Sequence, residues 1–170
     1  QSVITPSIGI GLPDLAYYEP CFGQELEWIL LSALDQVRTR VESTYLRLTT
    51  KPADQSLFTA PSDPDDLERL RQQVIAGAYR LVDRSEEEGY LPGENVVNVF
   101  ACGAMVPEAV AAGEELLDEG IFANIINVTG PGPLYSSFQG SVHQSMNTGH
   151  RDKPFLDGVL SPEERHVPIV

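Results

Sequence analysis

The groups in this chain that could do chemistry are two cysteines, three histidines and a large set of carboxylates. Their spacing decides which chemistry is open to them. Cys21 and Cys102 lie far apart in sequence and lack the close Cys/His spacing of a zinc site. A disulfide is disfavoured in a reducing compartment, so both read as buried free thiols. His143, His150 and His166 fall on Gly- and Ser-rich, loop-like sequence, with no carboxylate or cysteine at ligand spacing. No metal site is expected. Glu25 and Glu27 read as solvent-facing charges on a helix, and the acidic run over residues 83–88 as a solvated turn. No GxGxxG, Walker or GxSxG sequence occurs anywhere in the chain. Thr129-Gly130-Pro131-Gly132-Pro133 is placed where an open parallel sheet holds ligand loops. A phosphate cradle needs consecutive backbone N–H groups, which Pro131 and Pro133 lack, so the segment reads as a plain strand-to-helix turn.

The elements that must carry these groups follow from hydrophobic periodicity. Ser7-Ile8-Gly9-Ile10-Gly11 alternates small and apolar residues ahead of Pro13, as a strand edge does. A helix should start after Glu19-Pro20, with Leu26, Ile29, Leu30, Ala33 and Val37 on one packed face. Tyr45-Leu46-Arg47-Leu48-Thr49 has strand composition. Residues 51–66, rich in Pro, Asp and Ser, form the best linker candidate. A short helix from about Asp65 leads into a second apolar piece, Gly77-Ala78-Tyr79-Arg80-Leu81-Val82.

The clearest local unit comes next. Val96-Val97-Asn98-Val99-Phe100-Ala101 reads as a buried strand, residues 105–119 as a helix stopped by Gly120, and Ala123-Asn124-Ile125-Ile126-Asn127-Val128 as another strand. Strand, helix and strand in this span make a βαβ unit. The expected class is therefore α/β, with a parallel or mixed sheet and helices on both faces.

Composition limits the partners. Eleven Lys and Arg against 25 Asp and Glu leave a net charge of −14, which repels a phosphate backbone, so nucleic acid is not expected. No run approaches the roughly 20 apolar residues of a membrane span. The chain reads as soluble and cytoplasmic. It opens at Gln1 without an initiator methionine and closes on the β-branched run His166-Val167-Pro168-Ile169-Val170, which reads as the start of a buried strand. Both ends read as cut, and the uncovered apolar surface implies association rather than a well-behaved monomer.

Several segments, in order, resemble the thiamine diphosphate enzymes of the transketolase superfamily, above all the homodimeric decarboxylating component of the pyruvate dehydrogenase complex. They are Pro6-Ser7-Ile8-Gly9-Ile10-Gly11-Leu12-Pro13, Tyr18-Glu19-Pro20, Tyr45-Leu46-Arg47-Leu48-Thr49-Thr50, Ile75-Ala76-Gly77-Ala78-Tyr79-Arg80-Leu81, Val99-Phe100-Ala101-Cys102-Gly103-Ala104-Met105 and the run from Ala109 to Leu116. The resemblance implies that residues 1–55 are the C-terminal part of a pyrimidine-binding domain. Residues 56–170 would be part of a transketolase C-terminal-like domain. It departs from the family pattern at Glu19, commonly Asp there, and over residues 130–139, where the family carries a more charged segment.

For function, the resemblance implies a fragment or subunit of a 2-oxo acid dehydrogenase that passes an acyl group to a lipoyl carrier. Thiamine diphosphate and Mg2+ would be bound mainly outside this chain. No position here matches the family's catalytic, cofactor-binding or metal-binding motifs, so no residue is assigned such a role. Implied partners are the remaining segments or subunits of the enzyme, a homo-oligomer of the whole, and a lipoyl acyltransferase. The alternatives are a catalytically empty transketolase-like assembly or regulatory module, and a flavodoxin-like nucleotide binder using residues 129–133.

Overall fold

A computed structural model of the chain describes residues 5–12, 14–39, 43–149 and 153–170. In order, the elements are α1 (Thr5–Gly11), β1 (Leu15–Tyr18), α2 (Gly23–Thr39), β2 (Ser43–Leu46), α3 (Pro64–Ala76), β3 (Ala78–Val82), β4 (Val96–Ala101), α4 (Val106–Asp118), β5 (Phe122–Val128) and α5 (Pro131–Thr148). The α/β class read from the sequence is the one observed. β1 and β2 form a parallel pair, with Leu15 opposite Ser43 and Tyr18 opposite Leu46. β3, β4 and β5 form a mixed sheet in the order β3-β5-β4. β4 and β5 run parallel across the α4 crossover, and β3 lies antiparallel on the other edge of β5.

β5 is buried along nearly its whole length because both its faces are covered. Ala123 and Ile125 face a cluster with Val106 and Ala109 of α4 and with Cys21 and Phe22 ahead of α2. Ile126 faces the opposite side, against Ala78, Val159 and Leu160, with Leu134 of α5 packed alongside. A third cluster of Tyr18, Trp28, Ile29, Val74 and Tyr79 joins α2 and α3 to both sheets.

Local chemistry sets several boundaries. Asp63 caps α3, its carboxylate accepting from the N–H groups of Asp65 and Asp66, and Pro64 occupies the first turn, where a missing N–H costs nothing. Gly77 ends that helix at φ +116, a left-handed conformation that favours glycine.

Four sequence expectations are corrected. Residues 7–11 are helical rather than extended, because Gly9 sits directly on the Tyr17 ring and tertiary packing overrides the local alternation. The expected single apolar face of α2 is split: Ile29 is buried, whereas Leu30 and Val37 are 42% and 60% exposed. His143 lies on α5 rather than on a loop; His150 lies outside the described residues. Residues 168–170 do run beside β4, with Phe100 N–H donating to Val170 O at 2.8 Å, but Ile169 and Val170 are exposed rather than buried.

A close backbone approach in the core joins Gly77 to the turn after β5. Gly130 N–H donates to Gly77 O at 3.0 Å, and a Cβ on Gly77 would lie 2.4 Å from Gly130 O. Gly77→Ala should therefore destabilise the fold by about 2 kcal/mol or more in urea titration. Gly140→Ala, on a helical surface with nothing within 4 Å of the added Cβ, should instead stabilise it by up to ~1 kcal/mol.

Candidate functional site

Three strands of the two sheets deliver a polar residue at the step after their carboxyl ends: Glu19 after β1, Arg47 after β2 and Cys102 after β4. These three meet. Arg47 Nη1 lies 2.7 Å from Glu19 Oε1, and the Cys102 thiol donates to Glu19 Oε2 at 3.4 Å. Backbone bonds hold the trio in place, Glu19 N–H to Thr129 O at 2.8 Å and Arg47 N–H to Tyr18 O at 3.0 Å. They line a crevice of about 620 Å³ with Thr49, Thr50, Lys51 and Met105. Carboxyl ends of strands are where open α/β sheets place ligands. The trio was not singled out from sequence, because its members are more than twenty residues apart and Cys102 comes from the other sheet.

The electrostatics of the crevice are balanced within the chain. Arg47 pairs with Glu19, and Lys51 pairs with Glu108 at the start of α4. Burial, reinforced by the Glu19 charge, pushes the Cys102 thiol up to about 12, so it stays a neutral thiol and is no nucleophile at neutral pH. The arrangement can bind and orient.

Behind the crevice lies a carboxylate that the sequence reading placed in solvent. Glu25 is 0% exposed, which corrects that expectation, while Glu27 does face outward. Glu25 occupies the third position of α2, from which a side chain reaches back to the N–H groups ahead of the helix. Its Oε2 accepts from Cys21 N–H and Phe22 N–H, each at 2.8 Å. Its Oε1 accepts from the Tyr79 hydroxyl at 2.7 Å and from Asn127 Nδ2 at 2.6 Å. Burial raises its pKa; the bonds from Phe22, Tyr79 and Cys21 oppose that rise without cancelling it. The signal available in the sequence was the glutamate three residues after Phe22, at the helix start.

A second buried carboxylate ties down the far side of the sheet. Glu164 pairs with Arg80 at 2.9 Å and accepts from the Tyr90 hydroxyl, while Asn124 Nδ2 reaches it at 3.2 Å. Burial opposes its ionisation, but Arg80, Tyr90 and the Ser161 N–H outweigh that and hold its pKa at about 2.

Residues 129–133, expected as a strand-to-helix turn, do lead from β5 into α5, and they also form a packing joint. Thr129 Oγ1 donates to Val74 O at 2.6 Å, and a Cβ on Gly132 would lie 2.7 Å from Tyr17 N. Among the described residues no group of three or more His, Cys, Asp or Glu side chains could hold a metal ion, and no helix is long and apolar enough to cross a membrane.

No protein-family model matches the chain, and no curated protein does. The mixed α/β fold is, however, similar to that of solved transketolases. A transketolase variant from Pichia stipitis in complex with fructose 6-phosphate superposes on 99% of this chain with a TM-score of 0.63 and 18% identity. Transketolase from Leishmania mexicana does so over 99% with a TM-score of 0.59 and 18% identity. A split-gene transketolase described as an inactive beta4 tetramer matches over 100% with a TM-score of 0.57 and 20% identity. The chain spans 19% of each of the first two proteins and 51% of the split-gene chain. At these identities the likeness establishes the fold.

The two buried carboxylates give opposite tests. Glu25→Gln keeps one oxygen for Cys21 and Phe22, and its new amide faces the Tyr79 oxygen and, once the Asn127 amide turns, an Oδ1 that now has no partner. That change should cost less than about 1 kcal/mol, whereas Glu25→Leu strands four donors and should cost about 3–5 kcal/mol in urea titration. Glu164 has its pKa lowered from 4.5 to about 2, so the stability it contributes is present above 4.5 and is lost as pH falls toward 2. Thermal midpoints measured across that window should fall steeply for the wild type and less steeply for Glu164→Gln.

Proposed function

We propose that this chain is one part of a thiamine diphosphate-dependent enzyme of transketolase-like architecture. In this reading residues 1–55 complete a pyrimidine-binding domain and residues 56–170 contribute a C-terminal-like domain. The observation that carries the proposal is the superposition of 99% of this chain on one portion of transketolases, 19% of their length. The ordered sequence resemblance supports it independently. So does α2, whose outward stripe of Leu30, Leu31, Leu34 and Val37 is 42–69% exposed, a face suited to burial against further polypeptide.

The reaction we assign to the complete assembly is decarboxylation of a 2-oxo acid, pyruvate being the reference substrate, with the acyl group passed to a lipoyl carrier on an acyltransferase. The sequence resemblance, rather than the fold, favours this over ketose transfer. The described residues do not themselves fit the cofactor. Glu25, the one fully buried carboxylate near the crevice, has both oxygens occupied by donors of its own chain, and Arg47 and Lys51 are each paired with a carboxylate. A diphosphate and its Mg2+ would have to be held by other parts of the assembly. What this chain supplies is a rigid wall, an apolar α2 face and a charge-balanced crevice at the strand ends.

The same lack of fit favours a second reading, a catalytically empty transketolase-like module that assembles with or regulates another protein. The two readings separate in one assay. The assembly captured from its native source through this chain should release CO2 from a 2-oxo acid in a manner dependent on added thiamine diphosphate and Mg2+, and the isolated chain should release none. An intact captured assembly that neither takes up thiamine diphosphate nor releases CO2 would establish the empty module instead.

A further inference from the structure

Residues 51–58 hold no α-helix and no β-strand, only the short 3-10 turn Gln55–Leu57. Among the described residues, their backbone groups make no hydrogen bond to a strand or to an α-helix. Lys51 N–H donates to Thr49 Oγ1, Ser56 N–H to Asp54 Oδ1, Leu57 N–H to Asp54 O and Phe58 N–H to Gln55 O, all between Thr49 and Phe58. Side chains alone fasten this piece to the rest of the chain. Gln55 Oε1 accepts from Gly23 N–H at 2.8 Å at the start of α2, and Lys51 pairs with Glu108 of α4. Phe58 packs on three rings, its centroid 5.5 Å from that of Phe22, 6.1 Å from Trp28 and 6.2 Å from Tyr79. Phe22 and Tyr79 both donate to Glu25.

We infer that residues 51–58 are a strap that opens as one piece, with Phe58 as the plug it withdraws from between α2 and β3. The bonds within the segment survive that movement, so no ladder or helical bond has to break. What opening gives up is the burial of one phenyl ring, one hydrogen bond and an ion pair whose side chains are 59% and 55% exposed. The ring also has somewhere to go. Leu57, Phe58 and Pro61 border a cleft of about 470 Å³ against Leu70, Gln73 and Leu81, so it can swing without displacing α3 or β3.

Opening admits water to the Cys21 and Phe22 amides that donate to Glu25. It also moves one wall of the crevice, which Thr50 and Lys51 line. The crevice and the Glu25 bonds therefore share one moving part, and a change at either reaches the other through the strap. The inference rests on contacts within the chain and is independent of the thiamine enzyme reading.

Native-state hydrogen exchange on the full chain, joined to acrylamide quenching of its single tryptophan, Trp28, tests the strap. In the wild type the Cys21 and Phe22 amides should exchange faster than that of Ile125, through an opening that depends little on denaturant. Gln55→Ala, at an exposed side chain, removes the bond from Gly23 and should speed that exchange about fivefold while leaving Ile125 unchanged. Phe58→Ala should raise the quenching constant of Trp28 severalfold with unchanged circular dichroism; if that variant unfolds, the Gln55→Ala exchange decides. Cys21 and Phe22 amides as protected as that of Ile125, exchange that Gln55→Ala speeds equally at Ile125, or a folded Phe58→Ala with unchanged quenching would overturn the inference.

Discussion

A carboxylate shut off from solvent sits where four parts of the chain converge, and the architecture depends on it. Glu25 enters from the first turn of α2, Cys21 and Phe22 from the loop after β1, Tyr79 from β3 and Asn127 from β5. An ionised carboxylate costs several kcal/mol to bury unless its lone pairs are filled. Here each oxygen accepts from two donors, so the penalty is offset only when all of these segments are in register together. The bond set therefore specifies how the β1–β2 pair is mounted on the three-stranded sheet.

Close backbone packing around that point leaves little freedom for the mount to shift. Gly132 lies against the Tyr17 backbone, Gly130 against the Tyr18 ring, and the Tyr18 hydroxyl donates to Ile75 O at 2.9 Å. These contacts set the carboxyl ends of β1, β2 and β4 beside one another, and the crevice of Glu19, Arg47 and Cys102 is the consequence.

What the sequence disclosed, and what it withheld, follows from the range of the interactions involved. The β4-α4-β5 unit was legible because its apolar residues follow their own periodicity and Gly120 marks the stop, all within one short span. The start of α3, read at about Asp65 and observed at Pro64, was legible for the same reason, although its Asp63 cap was not read. α1 was misread as extended because Gly9 answers to the Tyr17 ring, a partner that no local pattern records. Glu25 was misread because periodicity takes a glutamate for a surface residue, whereas its donors Tyr79 and Asn127 lie 54 and 102 residues away. The buried Asn124 donates from Nδ2 to Asn98 Oδ1 at 3.1 Å across neighbouring strands, a pairing visible only in the register.

The Glu25 hub makes the β1–β2 pair and the β3–β5–β4 sheet a single cooperative unit. Native-state hydrogen exchange in increasing denaturant measures this directly, because segments that open together share one free energy of opening. The amides of Ala16 and Tyr17 in β1 and those of Ile125 and Ile126 in β5 should converge on one value, that of global unfolding. Exchange of the β1 amides through a separate, lower-energy opening that leaves β5 fully protected would contradict it.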